Sequence, residues 1–215
     1  MERICNSIAE KISMELNFDS DRKEVIAYGL FALLQMILSI LLVIVFGSLF
    51  NVVIEAVIIS FTASILRKYS GGVHASSPSK CLVIGTISCI GQAILIKILV
   101  MQSINLNLVL FLGTITFLWS YYMIYKLAPV GSLEKPIKSE EKRKRMRKVS
   151  IVILSVYLIL VIVSIATYSY FHEMVALKYC LCIYIGILWQ VFTITTYGNL
   201  MIRKIDTFFT HILKL

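Results

Sequence analysis

The sequence predicts an all-α, polytopic membrane protein with about six transmembrane helices, preceded by an N-terminal amphipathic helix. Hydrophobic residues make up 59% of the 215 residues, whereas soluble domains are usually about 45–50% apolar. Apolar runs near the roughly 18–20 residues that cross a bilayer recur along the chain. The runs lack the period-two alternation of a β-barrel, so they predict helices. We therefore interpret residues 1–215 as a single integral membrane domain.

The N-terminal segment, residues 1–20, precedes the first apolar run. Ile4, Ile8 and Ile12 recur at a spacing of four, and the charged residues lie mostly elsewhere on the helical wheel. This pattern predicts an amphipathic helix along the inner membrane surface. A cytoplasmic packing helix has the same pattern and stays open as the alternative.

The apolar runs that follow predict a six-span bundle over residues 25–198, and residues 199–215 then form a cytoplasmic tail. The expected spans are 25–46, 49–66, 81–100, 106–125, 149–170 and 177–198.

The basic residues predict the orientation of this bundle. The connections rich in Lys and Arg alternate with connections at 47–51, 101–105 and 171–176 that contain neither residue. Since positive charge is retained on the inner side, both termini are expected in the cytoplasm. The lipid bilayer is the expected surrounding, and no nucleic-acid partner is expected.

Two charged residues lie inside the predicted spans. Glu55 and Lys97 each lie about one turn from the outer end of a span, at a shared depth, where they can pair. The alternative for Lys97 is that its ammonium group reaches out to the interface.

The five cysteines and three histidines do not form a recognisable metal or disulfide pattern. Most of the cysteines lie within apolar runs, and the histidines are far apart. We expect no metal ion, no other cofactor and no disulfide framework.

The connection between the second and third spans contains the two residues best suited to catalysis, His74 and Cys81. A cysteine thiolate can attack a carbonyl while a histidine takes and returns the proton. On one continuous helix the two residues would lie roughly 10 Å apart along the axis, whereas a hydrogen bond needs about 3 Å. The chain must therefore fold back between them, which Gly71, Gly72 and Pro78 allow.

Ser77 and Pro78 predict the start of the third span, with Ser77 as the N-cap and Pro78 as the first helical residue. Cys81 then lies in the first turn, where the positive end of the helix favours a thiolate. An inert cysteine at the membrane border and a solvated histidine in a loop remain the alternative interpretation.

The same loop resembles the signature of the accessory gene regulator B (AgrB) family of bacterial membrane endopeptidases. The matching residues are Arg67, Gly72, His74 and Cys81. A second similarity follows the fourth span, at Ala128-Pro129 and Lys135-Pro136. The chain length and the two basic cytoplasmic connections also agree with this family.

The resemblance implies a cysteine endopeptidase of the bacterial cytoplasmic membrane that processes a quorum-sensing precursor peptide. The enzyme would cleave off the C-terminal part of the precursor, hold the rest as a thioester and promote cyclisation to a thiolactone or lactone. Cys81 would be the nucleophile, His74 the general base and acid, and Arg67 and Gly72 supporting residues. The resemblance also implies a homodimer.

The connection before the fifth span contains a dense cluster of positive charge. Precursors in this family resemble amphipathic peptides with acidic C-terminal tails, which a basic surface attracts. Topology control and contact with anionic lipids explain the same cluster without a substrate. The cluster consists of Lys142, Arg143, Lys144, Arg145, Arg147 and Lys148.

A membrane transporter or exporter of a small peptide or solute is the alternative function. Transporters tend to have polar residues at mid-membrane depth, interrupted helices and internal repeats. The predicted spans have no clear repeat and few charges. A membrane adaptor without chemistry is the third possibility.

Overall fold

The computed structural model describes residues 2–73, 75–101, 104–131 and 139–213, and these residues form eight α-helices. The helices are α1 (Glu2–Glu15), α2 (Ser20–Leu49), α3 (Val53–Ser70), α4 (Pro78–Met101), α5 (Leu106–Leu127), α6 (Glu140–Phe171), α7 (Met174–Thr193) and α8 (Thr196–Leu213). This architecture confirms the predicted all-α, polytopic class.

The six predicted spans correspond to α2 through α7, although α3 differs from the others. Five helices, α2 and α4 to α7, are long and apolar enough to cross a membrane. The remaining helix, α3, has 18 residues and carries Glu55 near its start and Arg67 and Lys68 in its last turn. It lies inside the bundle, packed against α2, α4, α6 and α7.

The core of the bundle lies where α3 packs against α7. Ile59 and Leu66 of α3 and Ile187 and Val191 of α7 are fully buried. At Gly186 the helices approach so closely that an added Cβ would lie 3.1 Å from the Ile59 carbonyl oxygen. In contrast, α2 is peripheral and buries little of its surface.

Among the described contacts, Glu55 and Lys97 do not form the direct ion pair that was one of the two interpretations of these residues. Glu55 forms an ion pair of 2.6 Å with Lys178 at the start of α7. Lys97 instead donates a hydrogen bond of 3.1 Å to the Phe50 carbonyl. The reason is the packing of α3 against α7, which an apolar pattern along the chain does not reveal.

The N-terminal helix forms as predicted, and it packs against α2 through small residues. Cys5 and Ala9 are buried on the side that packs against α2, whereas Ile4 and Ile8 remain exposed. Lys23 at the start of α2 pairs with Glu10 at 2.9 Å. Small residues permit this close packing of α1 against α2.

The last predicted span ends earlier than expected, because a second helix begins within it. The helix α7 ends at Thr193, and the Thr195 hydroxyl accepts a hydrogen bond of 3.1 Å from the Gly198 N–H at the start of α8. The segment expected as a tail is therefore helical as far as residue 213. One face of α8 exposes large apolar side chains, namely Tyr197, Leu200, Met201 and Phe208.

Candidate active site

The loop that carries the signature begins with two glycines in conformations that other residues rarely adopt. Gly71 has a φ of +73° and Gly72 a φ of +138°. A Cβ at Gly71 would collide with the Val130 carbonyl, and one at Gly72 would lie 3.1 Å from Thr193 Oγ1. The predicted break after the second span is therefore confirmed, and it requires glycine at both positions.

A short backbone pairing joins this loop to the segment after α5. The Gly72 N–H donates to the Val130 carbonyl (3.3 Å), and the Val130 N–H donates to the Ser70 carbonyl (3.0 Å). Ala128 and Pro129, which precede Val130, are joined by a cis peptide bond. The two segments that carry the family resemblance thus lie side by side. Lys135 and Pro136 lie outside the described residues.

A buried polar cluster from α7 fixes the start of the loop. The Gln190 side-chain nitrogen donates to Ser70 Oγ (2.9 Å) and to the Gly71 carbonyl (2.7 Å). Thr193 Oγ1 donates to the Gln190 backbone carbonyl at 2.8 Å. All three side chains are buried. The sequence pattern did not indicate these residues, because one Gln and one Thr inside an apolar run do not reveal what they face.

Arg67, in the last turn of α3, binds the loop that leads to Cys81. Its guanidinium donates to the Val73 carbonyl, immediately before His74 in the sequence. A half-buried cation is thereby tied to the loop that leads to the candidate nucleophile.

Cys81 occupies the predicted position in the first turn of α4. The helix begins at Pro78, and the Ser77 hydroxyl accepts a hydrogen bond of 3.3 Å from the Lys80 N–H. The Cys81 side chain is half-buried. On the neighbouring helix α2, the Gln35 side chain donates to the Pro78 carbonyl at 3.0 Å and anchors this helix start.

His74 lies outside the described residues, so its predicted contact with Cys81 stays a prediction. Its neighbours Val73 and Ala75 are both half-buried.

Asp206 of α8 binds Ser76, which lies two residues after His74. The sequence pattern did not indicate Asp206. Across the described part of the chain, no group of three or more His, Cys, Asp or Glu residues could hold a metal ion.

The basic cluster lies on the first turns of α6 rather than in a loop. Ser139 caps this helix and accepts a hydrogen bond of 3.4 Å from the Lys142 N–H. Arg147 is half-buried, and its Nε donates to the Ala128 carbonyl at 2.8 Å. The other five basic side chains of the cluster are exposed, namely Lys142, Arg143, Lys144, Arg145 and Lys148.

Sequence similarity to known proteins extends over nearly the whole chain. The model of the family described as accessory gene regulator B matches residues 5–194. The chain is 44% identical to AgrB-like protein 2 of Clostridium perfringens strain 13 (type A), over 97% of both chains. It is 42% identical to an AgrB-like protein of Clostridium perfringens strain SM101 (type A), also over 97% of both chains. No solved structure gives a significant match. The chain therefore belongs to the accessory gene regulator B (AgrB) family.

Proposed function

We propose that this protein is a cysteine endopeptidase that processes a quorum-sensing precursor peptide at the inner face of the bacterial cytoplasmic membrane. The observation that carries the proposal is the position of Cys81, a half-buried thiol in the first turn of α4, at the end of the loop that Arg67 binds through the Val73 carbonyl. The thiolate is the nucleophilic form of a cysteine, and in the proposed reaction His74 generates it by taking the thiol proton. Family membership supports the same activity.

In the proposed reaction, His74 takes the thiol proton and Cys81 Sγ attacks the carbonyl carbon of the scissile peptide bond. The carbon–nitrogen bond then breaks, and His74 returns the proton to the departing amine of the C-terminal fragment. The remaining precursor is held on Cys81 as a thioester. A Cys or Ser side chain of the precursor attacks that thioester, releases Cys81 and closes a thiolactone or lactone ring.

The second step needs protection from water, because hydrolysis of the thioester competes with ring closure. A site at the membrane border, packed between helices, limits the access of water. Intramolecular attack is also favoured by an effective molarity that can reach about 10⁵ M or more in well-oriented systems. The ring closure therefore depends on how the site holds the precursor.

Arg67 and Gly72 act as supporting residues in this proposal. The Arg67 guanidinium stabilises negative charge that develops near Cys81, and its hydrogen bond to Val73 ties it to the loop. Gly72 allows the chain to pass closely over Thr193, where a side chain has no room.

The proposed partner is a precursor with an amphipathic N-terminal part and an acidic C-terminal tail. The five exposed basic residues at the start of α6 supply an attractive field for such a tail. Arg147 is set apart from them because it binds the Ala128 carbonyl. We also propose that the enzyme is a homodimer with both termini in the cytoplasm.

Co-expression with a candidate precursor, the short peptide encoded beside the gene, tests this function. Wild-type protein is expected to yield a truncated peptide, whereas Cys81→Ala and His74→Ala are expected to leave the precursor intact at equal membrane abundance. Cleavage by Cys81→Ala at the wild-type rate contradicts the proposal and favours a transporter or an adaptor.

A further inference from the structure

One acidic side chain is connected to the neighbours of both residues of the proposed dyad. Asp206 of α8 accepts hydrogen bonds from the Ser76 N–H (3.2 Å) and the Ser76 hydroxyl (3.1 Å). Lys80 Nζ lies 3.8 Å from the same carboxylate and donates to Ser76 Oγ at 3.0 Å. Ser76 stands two residues after His74, and Lys80 immediately precedes Cys81.

Two of the three side chains in this contact, those of Lys80 and Asp206, are little exposed, whereas Ser76 is exposed. The Lys80 side chain is 6% exposed and that of Asp206 is 17% exposed. Fully exposed ion pairs contribute little to stability. Hydrogen bonds that involve a charged group in a poorly solvated site are stronger, and they hold their partners in a defined geometry.

The position of the clamped residue explains how the loop can fold back. Ser76 lies in the turn between His74 and the α4 N-cap Ser77. The Asp206 carboxylate uses one oxygen for the backbone and the other for the hydroxyl of Ser76, so it fixes both the path and the side chain at that turn. The fold-back needed to bring His74 to Cys81 is thereby tied to α8.

We propose that Asp206 is a positioning residue, which holds the turn at Ser76 so that His74 and Cys81 can share a hydrogen bond. This inference rests on the proposed function. Asp206 acts through Ser76 and Lys80 and has no part in bond making or breaking.

Alkylation of the full-length protein by iodoacetamide in lipid nanodiscs tests this role without a precursor. Peptide mass spectrometry follows the rate at Cys81. Asp206→Asn is expected to slow alkylation about ten-fold or more, because a misplacement of about 1 Å can reduce a reaction rate roughly 100-fold. Asp206→Glu is expected to recover part of the rate, since it keeps the carboxylate.

A matched control lies next to Asp206 on α8. Thr207 is exposed, and among the described contacts its hydroxyl donates only to the Arg203 carbonyl of its own helix. Cys81 is therefore expected to be alkylated at the wild-type rate in Thr207→Ala. If a substitution only loosened the loop, Cys81 would be at least as accessible to iodoacetamide as in the wild type, and its alkylation would not slow. Labelling of the buried Cys89 and Cys180 reports any unfolding.

The outcomes separate this role from the function on which it rests. Slow alkylation in His74→Ala, together with a wild-type or faster rate in Asp206→Asn, overturns the positioning role alone. A wild-type rate in His74→Ala contradicts the proposed dyad itself. If Asp206→Asn unfolds, Ser76→Ala decides, since it removes one bond to Asp206 and leaves the charges in place. A slowed rate in Ser76→Ala supports the role, and an unchanged rate overturns it.

Discussion

Gln190, in the last turn of α7, donates a hydrogen bond of 2.7 Å to the carbonyl of Gly71, the C-cap residue that follows α3. The same nitrogen also binds Ser70 Oγ at 2.9 Å. This relationship satisfies backbone and side-chain groups that the end of α3 leaves without helical partners. It also couples the geometry of the signature loop to the most buried helix of the bundle.

Replacing Gln190 by Leu is therefore expected to lower the free energy of unfolding by about 1–3 kcal/mol, the usual effect of leaving buried polar groups unpaired. Precursor cleavage is expected to fall as well, because the loop loses its anchor. Titration with a denaturing detergent in mixed micelles measures the stability.

Gln92 on α4 provides the control for this substitution. Its side-chain oxygen has no hydrogen-bond partner among the described residues. Gln92→Leu is expected to leave stability equal or slightly higher. Equal stability of Gln190→Leu and wild type would contradict the anchoring role of Gln190.

Gly71→Ala is expected to disrupt the site more than a glycine substitution within a helix. The new Cβ collides with the Val130 carbonyl in a backbone conformation that alanine disfavours, so the free energy of unfolding is expected to fall by more than about 1 kcal/mol. In contrast, Gly85→Ala on α4 has open space around it and is expected to be neutral or stabilising by up to about 1 kcal/mol. The same unfolding titration compares them. A smaller loss at Gly71 than at Gly85 argues against the close pairing with Val130.

Arg147 and Lys148 are adjacent in the basic cluster and are expected to respond differently to substitution. Arg147→Ala removes a hydrogen bond to the Ala128 carbonyl and is expected to reduce both stability and cleavage. Lys148→Ala removes only an exposed charge, so we expect a modest rise in KM that added salt obscures. Steady-state cleavage at two ionic strengths separates these effects. Equal losses with equal salt dependence would mean that Arg147 serves only as a surface charge.

The orientation is expected to follow the distribution of basic residues. Single-cysteine probes at residues 47–51 and 171–176 should react with a membrane-impermeant reagent in intact cells, whereas probes at 67–80 should react only after permeabilisation. External labelling of the 67–80 loop would reverse the proposed topology.

Much of the fold was predictable because apolar runs report the length and hydrophobicity of spans directly. Ser77 and Pro78 likewise identified the start of α4, since capping is encoded locally. The side-chain contacts between different helices were not predictable from the sequence. Gln190 resembles any polar residue in a span, and Asp206 acts on Ser76 across 130 residues of sequence. Without knowledge of which helices pack together, neither contact leaves a signal in the pattern.

In the proposed mechanism Cys81 forms a covalent thioester with the precursor, and a mass measurement of that adduct detects it directly. A variant in which Cys5, Cys89, Cys180 and Cys182 are Ala retains Cys81 as the sole thiol. Incubated with a candidate precursor, this variant is expected to gain the mass of the N-terminal peptide fragment on Cys81, and hydroxylamine should release it. Cleavage of the precursor by this variant without any adduct on Cys81, or cleavage by Cys81→Ala, would contradict the account.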